Sequence, residues 1–153
     1  MPVIKSEYTA PFGFGNRHIQ TIFPTLFRRV KPVDFTRYRH ETADGDFFDA
    51  DCAFGNGDRV IILVHGLEGD SRRKYMRGMA RAFAGKGFDA VSLNLRGCSG
   101  ELNRLPRMYH SGDTADLSAA ISWVKGLSRY ASCHLAGFSL GGNLVLKYMG
   151  EAG

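Results

Sequence analysis

From Val60 onward the chain alternates between unbroken apolar runs and stretches whose apolar residues recur at helical spacing. Val60-Ile-Ile-Leu-Val64 is a continuous run rich in β-branched residues, the pattern of a parallel strand covered on both faces. Ser71 stands where it can cap a helix with Tyr75, Met79, Ala82 and Phe83 on one stripe, ending at Gly85 and Gly87. Residues 88–95 read as the next strand and lead into a loop rich in Gly, Ser and Pro. Asp113 or Thr114 then caps a helix with Leu117, Ala120, Ile121 and Val124 spaced i, i+3, i+4, i+7. A short strand over 131–136 and a helix over 140–149 complete the pattern. Such alternation predicts an α/β fold with a mostly parallel sheet wrapped by helices.

Between Asp34 and Phe54 the period changes to two. Phe35, Tyr38 and His40 interleave with charges, Ala43-Asp-Gly-Asp46 follows, and then come Phe48, Ala50 and Cys52. This predicts an antiparallel hairpin of two half-exposed strands joined at an Asp-Gly turn. Residues 1–33 carry Pro2, Pro11, Pro24 and Pro32 among aromatics, with one helical stretch near 17–27. They read as an arm that packs on the body, residues 34–153, through Phe12, Phe14, Ile19, Ile22, Phe23 and Phe27.

Composition narrows the function classes. A length of 153 residues suits one domain or part of a larger one, and 44% hydrophobic with 23% charged residues excludes disordered and fibrous classes. A net charge of +5 raises nucleic acid or lipid headgroups as partners. No aromatic-basic repeat, zinc-finger spacing or long basic run accompanies it, so no nucleic-acid partner is expected. Arg28-Arg29-Val30-Lys31 and Arg72-Arg73-Lys74 read as solvated faces. Cys52, Cys98 and Cys133 lack metal or redox spacing and read as free thiols in a reducing compartment. The first residues lack the build of a signal peptide, and no run is long enough to span a bilayer. The expectation is a cytoplasmic protein with no transmembrane segment, metal or cofactor.

Gly137-Phe-Ser-Leu-Gly141 matches G-x-S-x-G between a predicted strand and a predicted helix. A serine on so sharp a turn needs neighbours without Cβ atoms, and the helix that follows points free N–H groups at the space above its hydroxyl. Ser139 is therefore the candidate nucleophile, with the N–H of Leu140 as an oxyanion donor. One strand earlier, Val64-His65-Gly66-Leu67-Glu68-Gly69 offers the N–H of Leu67 as the second donor. His65 precedes the turn and reads as a structural hydrogen-bonder; an H-x-x-E-H zinc pattern fails at Gly69.

Five stretches carry a resemblance: Asn16-Arg-His-Ile-Gln-Thr21, His65-Gly-Leu-Glu-Gly69, Asn94-Leu-Arg-Gly-Cys-Ser-Gly-Glu101, His110-Ser-Gly-Asp113 with Asp116-Leu117, and Gly137-Phe-Ser-Leu-Gly-Gly-Asn143. In this order they resemble the α/β-hydrolase superfamily and, within it, the YheT-type branch. The resemblance implies a sheet opening with an antiparallel hairpin, a site at the carboxyl ends of the strands, and a Ser, Asp, His triad in that chain order. It carries the nucleophile onto Ser139 and the oxyanion donors onto Leu67 and Leu140. It also puts the acid and base on later strands, so the C-terminal strands of the fold and both of these residues are expected to be missing from this chain. His18, His40, His110 and His134 all precede Ser139. Only His110 is a candidate stand-in, with loop ordering as its other reading.

Arg96 and Glu101 are expected to fix their loop by hydrogen bonds to its backbone. Strand 131–136 would present an open apolar edge, so the chain is expected to be a poorly soluble fragment of a longer enzyme. The function implied is hydrolysis of a small-molecule carboxylic ester, an acyl or lipid ester, through an acyl-enzyme on Ser139, with this fragment itself inactive. Two alternatives stand beside it. One is a non-catalytic domain binding a partner through its sheet edge or aromatic arm; the other is an acyltransferase built on the same elbow.

Overall fold

The apolar run 60–64 becomes the centre of a five-stranded sheet. In the computed structural model, which describes residues 6–152, the elements run α1 (Arg17–Phe27), β1 (Thr36–Glu41), β2 (Phe47–Ala53), β3 (Arg59–Val64), α2 (Lys74–Ala84), β4 (Phe88–Asn94), α3 (Ala115–Gly126), β5 (Ser132–Gly137) and α4 (Leu140–Ala152). The strand order is β1-β2-β4-β3-β5. β3 is parallel to β4 and β5, whereas β2 is antiparallel to β4 and to β1.

The chain divides into two compact units, residues 1–30 and 31–153. In the first, Asn16 caps α1 by accepting a bond from the N–H of His18 at 2.8 Å. Phe23 packs against Phe14 and Phe27, with ring centroids 5.1 and 4.8 Å away.

In the second unit, alternate residues of β3 face opposite ways. Val60, Ile62 and Val64 join Leu117, Ala120, Ile121 and Val124 of α3 and Leu144 of α4 in one core. Ile61 and Leu63 join Met76 and Ala80 of α2 in another. Helices thus cover both faces of the sheet, which is why β3 is apolar at every position from Val60 to its end. The buried line of α2 is Met76 and Ala80, with Tyr75, Met79 and Phe83 beside it and Ala82 exposed. On α3, Leu117, Ala120, Ile121 and Val124 are buried as their spacing predicts.

Ser71 does not cap α2. The helix begins at Lys74 after Arg73, which makes no side-chain capping bond, while the buried Ser71 hydroxyl donates to the carboxylate of Asp51. With the helix starting three residues later, Ser71 lies outside the cap position and its hydroxyl is held on Asp51 of β2 instead. At α3 the residue in the cap position is Thr114, but the oxygen that accepts the Ala115 N–H is that of Asp113, at 3.3 Å.

The hairpin forms at the Asp-Gly turn, with Gly45 at φ +82° and its N–H bonded to Thr42 O at 2.9 Å. Its second strand is not half-exposed: every residue of β2 from Phe47 to Cys52 is buried, because Phe48, Ala50 and Cys52 face the core with α3 while Arg37, Arg39, Arg104 and Ser71 cover Phe47, Asp49 and Asp51 on the other face. Asp49 and Asp51 tolerate this through cross-strand partners. Arg39 forks onto Asp49 at 2.8 and 2.9 Å, and Arg37 onto Asp51 at 2.7 and 2.8 Å.

These ion pairs make the fold acid-sensitive. Burial alone raises the carboxyls of Asp46, Asp49 and Asp51, but it is outweighed: by the Arg104 N–H and Asn103 at Asp46, by Arg39 at Asp49, and by Arg37, Ser71 and Asn94 at Asp51. All three carboxyls end below their ordinary range, as does Asp44 beside Arg96. A folded pKa below the unfolded value of about 4 gives stability that is fully present above that value and is lost as pH falls through the folded values. The urea midpoint should therefore decline gently from neutral pH to about 5, where the unfolded chain protonates His40 and His65 while burial keeps both neutral in the fold, and drop steeply below about 4, where the carboxylates are lost. A midpoint without that steep drop would show these pairs to be energetically idle.

Among the described residues β5 pairs with β3 alone and so lies at the sheet edge. A groove of about 470 Å³ runs beside it, lined in part by Leu135, Val145, Tyr148 and Met149.

Candidate active site

β3 and β5 end in register, Val64 opposite Gly137, so the loops leaving them emerge side by side. The chain then turns within two residues into α4. The Phe138 N–H bonds to Val64 O at 3.0 Å, and the next residue, Ser139, is exposed with φ +52°. That left-handed conformation is costly for a residue with a Cβ, and it turns the hydroxyl outward at the strand end. The glycines around it are sterically required. A Cβ on Gly137 would overlap the backbone of Gly141, and one on Gly141 would overlap the carbonyls of Val64 and His65. The Gly141 N–H bonds to Phe138 O at 2.9 Å and that of Asn143 to Ser139 O at 3.1 Å. The Leu140 N–H, in the first turn of α4, has no acceptor among the described residues.

The loop after β3 lies directly against this elbow: a Cβ on Gly66 would sit 3.3 Å from the Cβ of Ser139 and 3.1 Å from Phe138 O. His65 is wholly buried and both its ring nitrogens are engaged. The Leu95 N–H donates to Nε2 at 3.1 Å, so Nδ1 carries the proton and donates to Gly66 O at 2.6 Å. Burial holds this imidazole below its ordinary pKa. His65 thus ties the loops after β3 and β4 together, and neither nitrogen is left to act as a base. The Gly66 N–H donates to Tyr75 Oη at 3.1 Å and the Glu68 N–H to Tyr109 Oη at 2.8 Å. Between them, the N–H of Leu67 has no acceptor among the described residues.

The loop from Leu95 to Thr114 is fixed by ion pairs. Arg96, only 1% exposed, does not bond the loop backbone as expected. Its guanidinium forks onto Asp116 of α3 (2.8 and 2.8 Å) and onto Asp44 in the hairpin turn (2.8 and 3.3 Å), with Asp46 at 3.5 Å. Glu101 likewise pairs with Arg39 of β1 at 2.7 Å. Asn103 makes the bonds to backbone, accepting from the Gly97 N–H at 2.5 Å and donating to Phe47 O at 2.7 Å. Arg107 bridges Asp44 and Asp113, and Asn143 of α4 donates to Ser111 O at 2.7 Å.

His110 Nδ1 accepts the Gly112 N–H at 3.1 Å, a loop-ordering contact. The remaining histidines have other surroundings: His40 stacks on Phe48 and packs at a tilt on Trp123, His134 on β5 meets Ser132 at 3.0 Å, and His18 lies exposed on α1. Among the described residues no group of three His, Cys, Asp or Glu side chains is placed to hold a metal ion, and no helix is long and apolar enough to cross a membrane. Beside the Leu67 loop a cavity of about 520 Å³ is lined by Leu67, Gly69, Cys98, Met108 and Tyr109 among others. Sequence alone gives Tyr75 and Tyr109 no place at the site, because no local motif ties either of them to the serine.

Residues 59–152, from β3 through the elbow and α4, match the family model for the alpha/beta hydrolase fold. The chain belongs to the α/β hydrolase fold family. It is similar to family relatives along nearly its whole length. YheT of Escherichia coli (strain K12) is 38% identical over 154 residues, which is 97% of this chain and 45% of YheT. Phospholipase ABHD3 of Homo sapiens is 32% identical over 161 residues, 99% of this chain and 39% of that protein. The chain therefore spans less than half the length of either relative. Among solved structures, the Pyrococcus furiosus esterase Pf2001 aligns with a TM-score of 0.68 at 18% identity over 78% of this chain and 47% of that one, a likeness of hydrolase fold.

Proposed function

We propose that this chain carries the nucleophile of a serine hydrolase acting on carboxylic esters. The observation that supports this most is Ser139 itself: an exposed hydroxyl at φ +52°, on a turn where glycine would be the unstrained choice. In the proposed reaction Ser139 Oγ attacks the ester carbonyl while its proton passes to a general base. The carbonyl oxygen becomes an oxyanion that accepts from the N–H groups of Leu67 and Leu140, both without a protein acceptor in the resting state. Loss of the alcohol leaves the acyl group on Ser139, and water then releases the acid. We assign neither the base nor the acid to a described residue. The cavity beside Leu67 has an apolar wall in Leu67 and Met108, which fits an acyl chain, and one relative is named a phospholipase. Acyl or lipid esters are accordingly the proposed substrate class.

In the protein as its cells make it, a fluorophosphonate probe should label Ser139, and Ser139→Ala should abolish the label. Labelling that survives the substitution, or a folded native protein that never labels, would overturn the reading.

A further inference from the structure

Tyr75 and Tyr109 reach the Leu67 loop from different elements, α2 and the loop after β4, and each accepts the N–H of a residue adjoining Leu67. We propose that these two tyrosines are positioning residues for the oxyanion donor, clamping its neighbours so that the Leu67 N–H is the one left free. This deepens, and rests on, the reading of Ser139 as nucleophile.

Three observations carry it. First, Glu68 holds φ +50°, a conformation that a residue with a side chain keeps only when its surroundings enforce it. The enforcing contacts are the Tyr109 hydroxyl on its N–H and Arg73 Nη2 on its carbonyl oxygen at 2.9 Å. Second, a Cβ on Gly69 would lie 2.8 Å from Tyr75 Oη, 3.0 Å from Gly66 O and 3.0 Å from His65 Nδ1, so the missing side chain is what lets the hydroxyl in. Third, both rings are seated on the site. Tyr75 packs on Phe138, the residue before Ser139, at 4.9 Å, and Tyr109 stands edge-on to His65 at 6.4 Å. The loop carrying Tyr109 is tied down on either side by Arg107 with Asp113 and by Asn143 with Ser111, so the donor and the nucleophile helix share one anchor. Burial lifts the Tyr109 phenol above its ordinary pKa, which keeps the hydroxyl neutral through the range where esters are cleaved.

A donor set about an ångström off loses its preference for the oxyanion over the ground-state carbonyl, so the loss falls on the chemical step. The test uses Tyr75→Phe and Tyr109→Phe in the native protein. The maximal rate of fluorophosphonate inactivation should fall about tenfold for either variant, with the probe concentration giving half that rate unchanged. Amide hydrogen exchange should quicken at Gly66 in Tyr75→Phe and at Glu68 in Tyr109→Phe, with β3 and β4 amides as protected as before. A merely structural role would lower thermal stability and leave the inactivation rate per folded molecule intact; that result overturns the proposal. If the wild-type protein is never labelled, the serine-hydrolase reading fails. If it is labelled and both variants react at the wild-type rate, only the clamp fails.

Discussion

Replacing Arg96 with methionine should destabilise the fold by about 3–5 kcal/mol, read as a lower urea midpoint at neutral pH. The reason is what stays behind. Arg96 is 1% exposed and faces Asp116, Asp46 and Asp44, whose side chains are 7%, 0% and 29% exposed. Methionine fills much of the arginine volume but leaves three carboxylates with no shared cation, two of them out of reach of water. Asp44 and Asp46 keep other partners in Thr42, Arg107, Asn103 and the loop amides, whereas both oxygens of Asp116 depend on Arg96. Arg96→Lys should recover part of the loss, since it restores the charge but not the planar fork that serves two carboxylates at once. Adding Asp116→Asn to the methionine variant should also recover part of it. A methionine variant as stable as wild type would show the cluster to be neutral in net effect, the outcome known for buried ion pairs exchanged whole for apolar groups.

Gly141→Ala should cost about 3 kcal/mol or more and remove any fluorophosphonate reactivity with it. Position 141 lies in the first turn of α4, where alanine is normally the better helix former, so local propensity points the other way. The added methyl would meet the carbonyls of Val64 and His65, atoms of a buried strand end that cannot step aside by changing rotamer. The helix must back away from β3 instead, and Ser139, Leu140 and the facing Gly66 separate. Gly150→Ala is the control: the same exchange near the other end of α4, where a Cβ meets nothing within 4 Å, should be neutral or slightly stabilising. Equal effects at the two positions would refute the packing argument.

Patterning along the chain anticipates the sheet well because parallel strands covered on both faces leave a mark in every residue. The run 60–64 and its successors at 88–95 and 131–136 match β3, β4 and β5 to within a residue, and the helix expected near 17–27 is Arg17–Phe27. The hairpin is legible from Asp44-Gly45, but the burial of its second strand is not. Whether Asp49 and Asp51 face water depends on arginines across the strand pair and on β4, 45 positions further on at Asn94. The role of Ser71 is hidden for the same reason, its partner being 20 residues back. At the site, the constraint on Gly137 is local while that on Gly141 comes from the carbonyls of Val64 and His65 at the end of β3, yet the G-x-S-x-G spacing still makes the elbow visible in five letters. The bond from Glu68 to Tyr109 spans 41 residues and ends in a loop without periodicity, where no spacing rule reaches.

Ser139 also bears on what a search for sturdier variants of this protein would find. Its φ of +52° is relaxed for glycine and strained by about 1–3 kcal/mol for serine, so folding alone would rank glycine first at this position. Screening by heat resistance without a chemical readout would drift toward Ser139→Gly and discard the hydroxyl as a defect. Serine at this position is the residue that the fold, left to itself, would not choose.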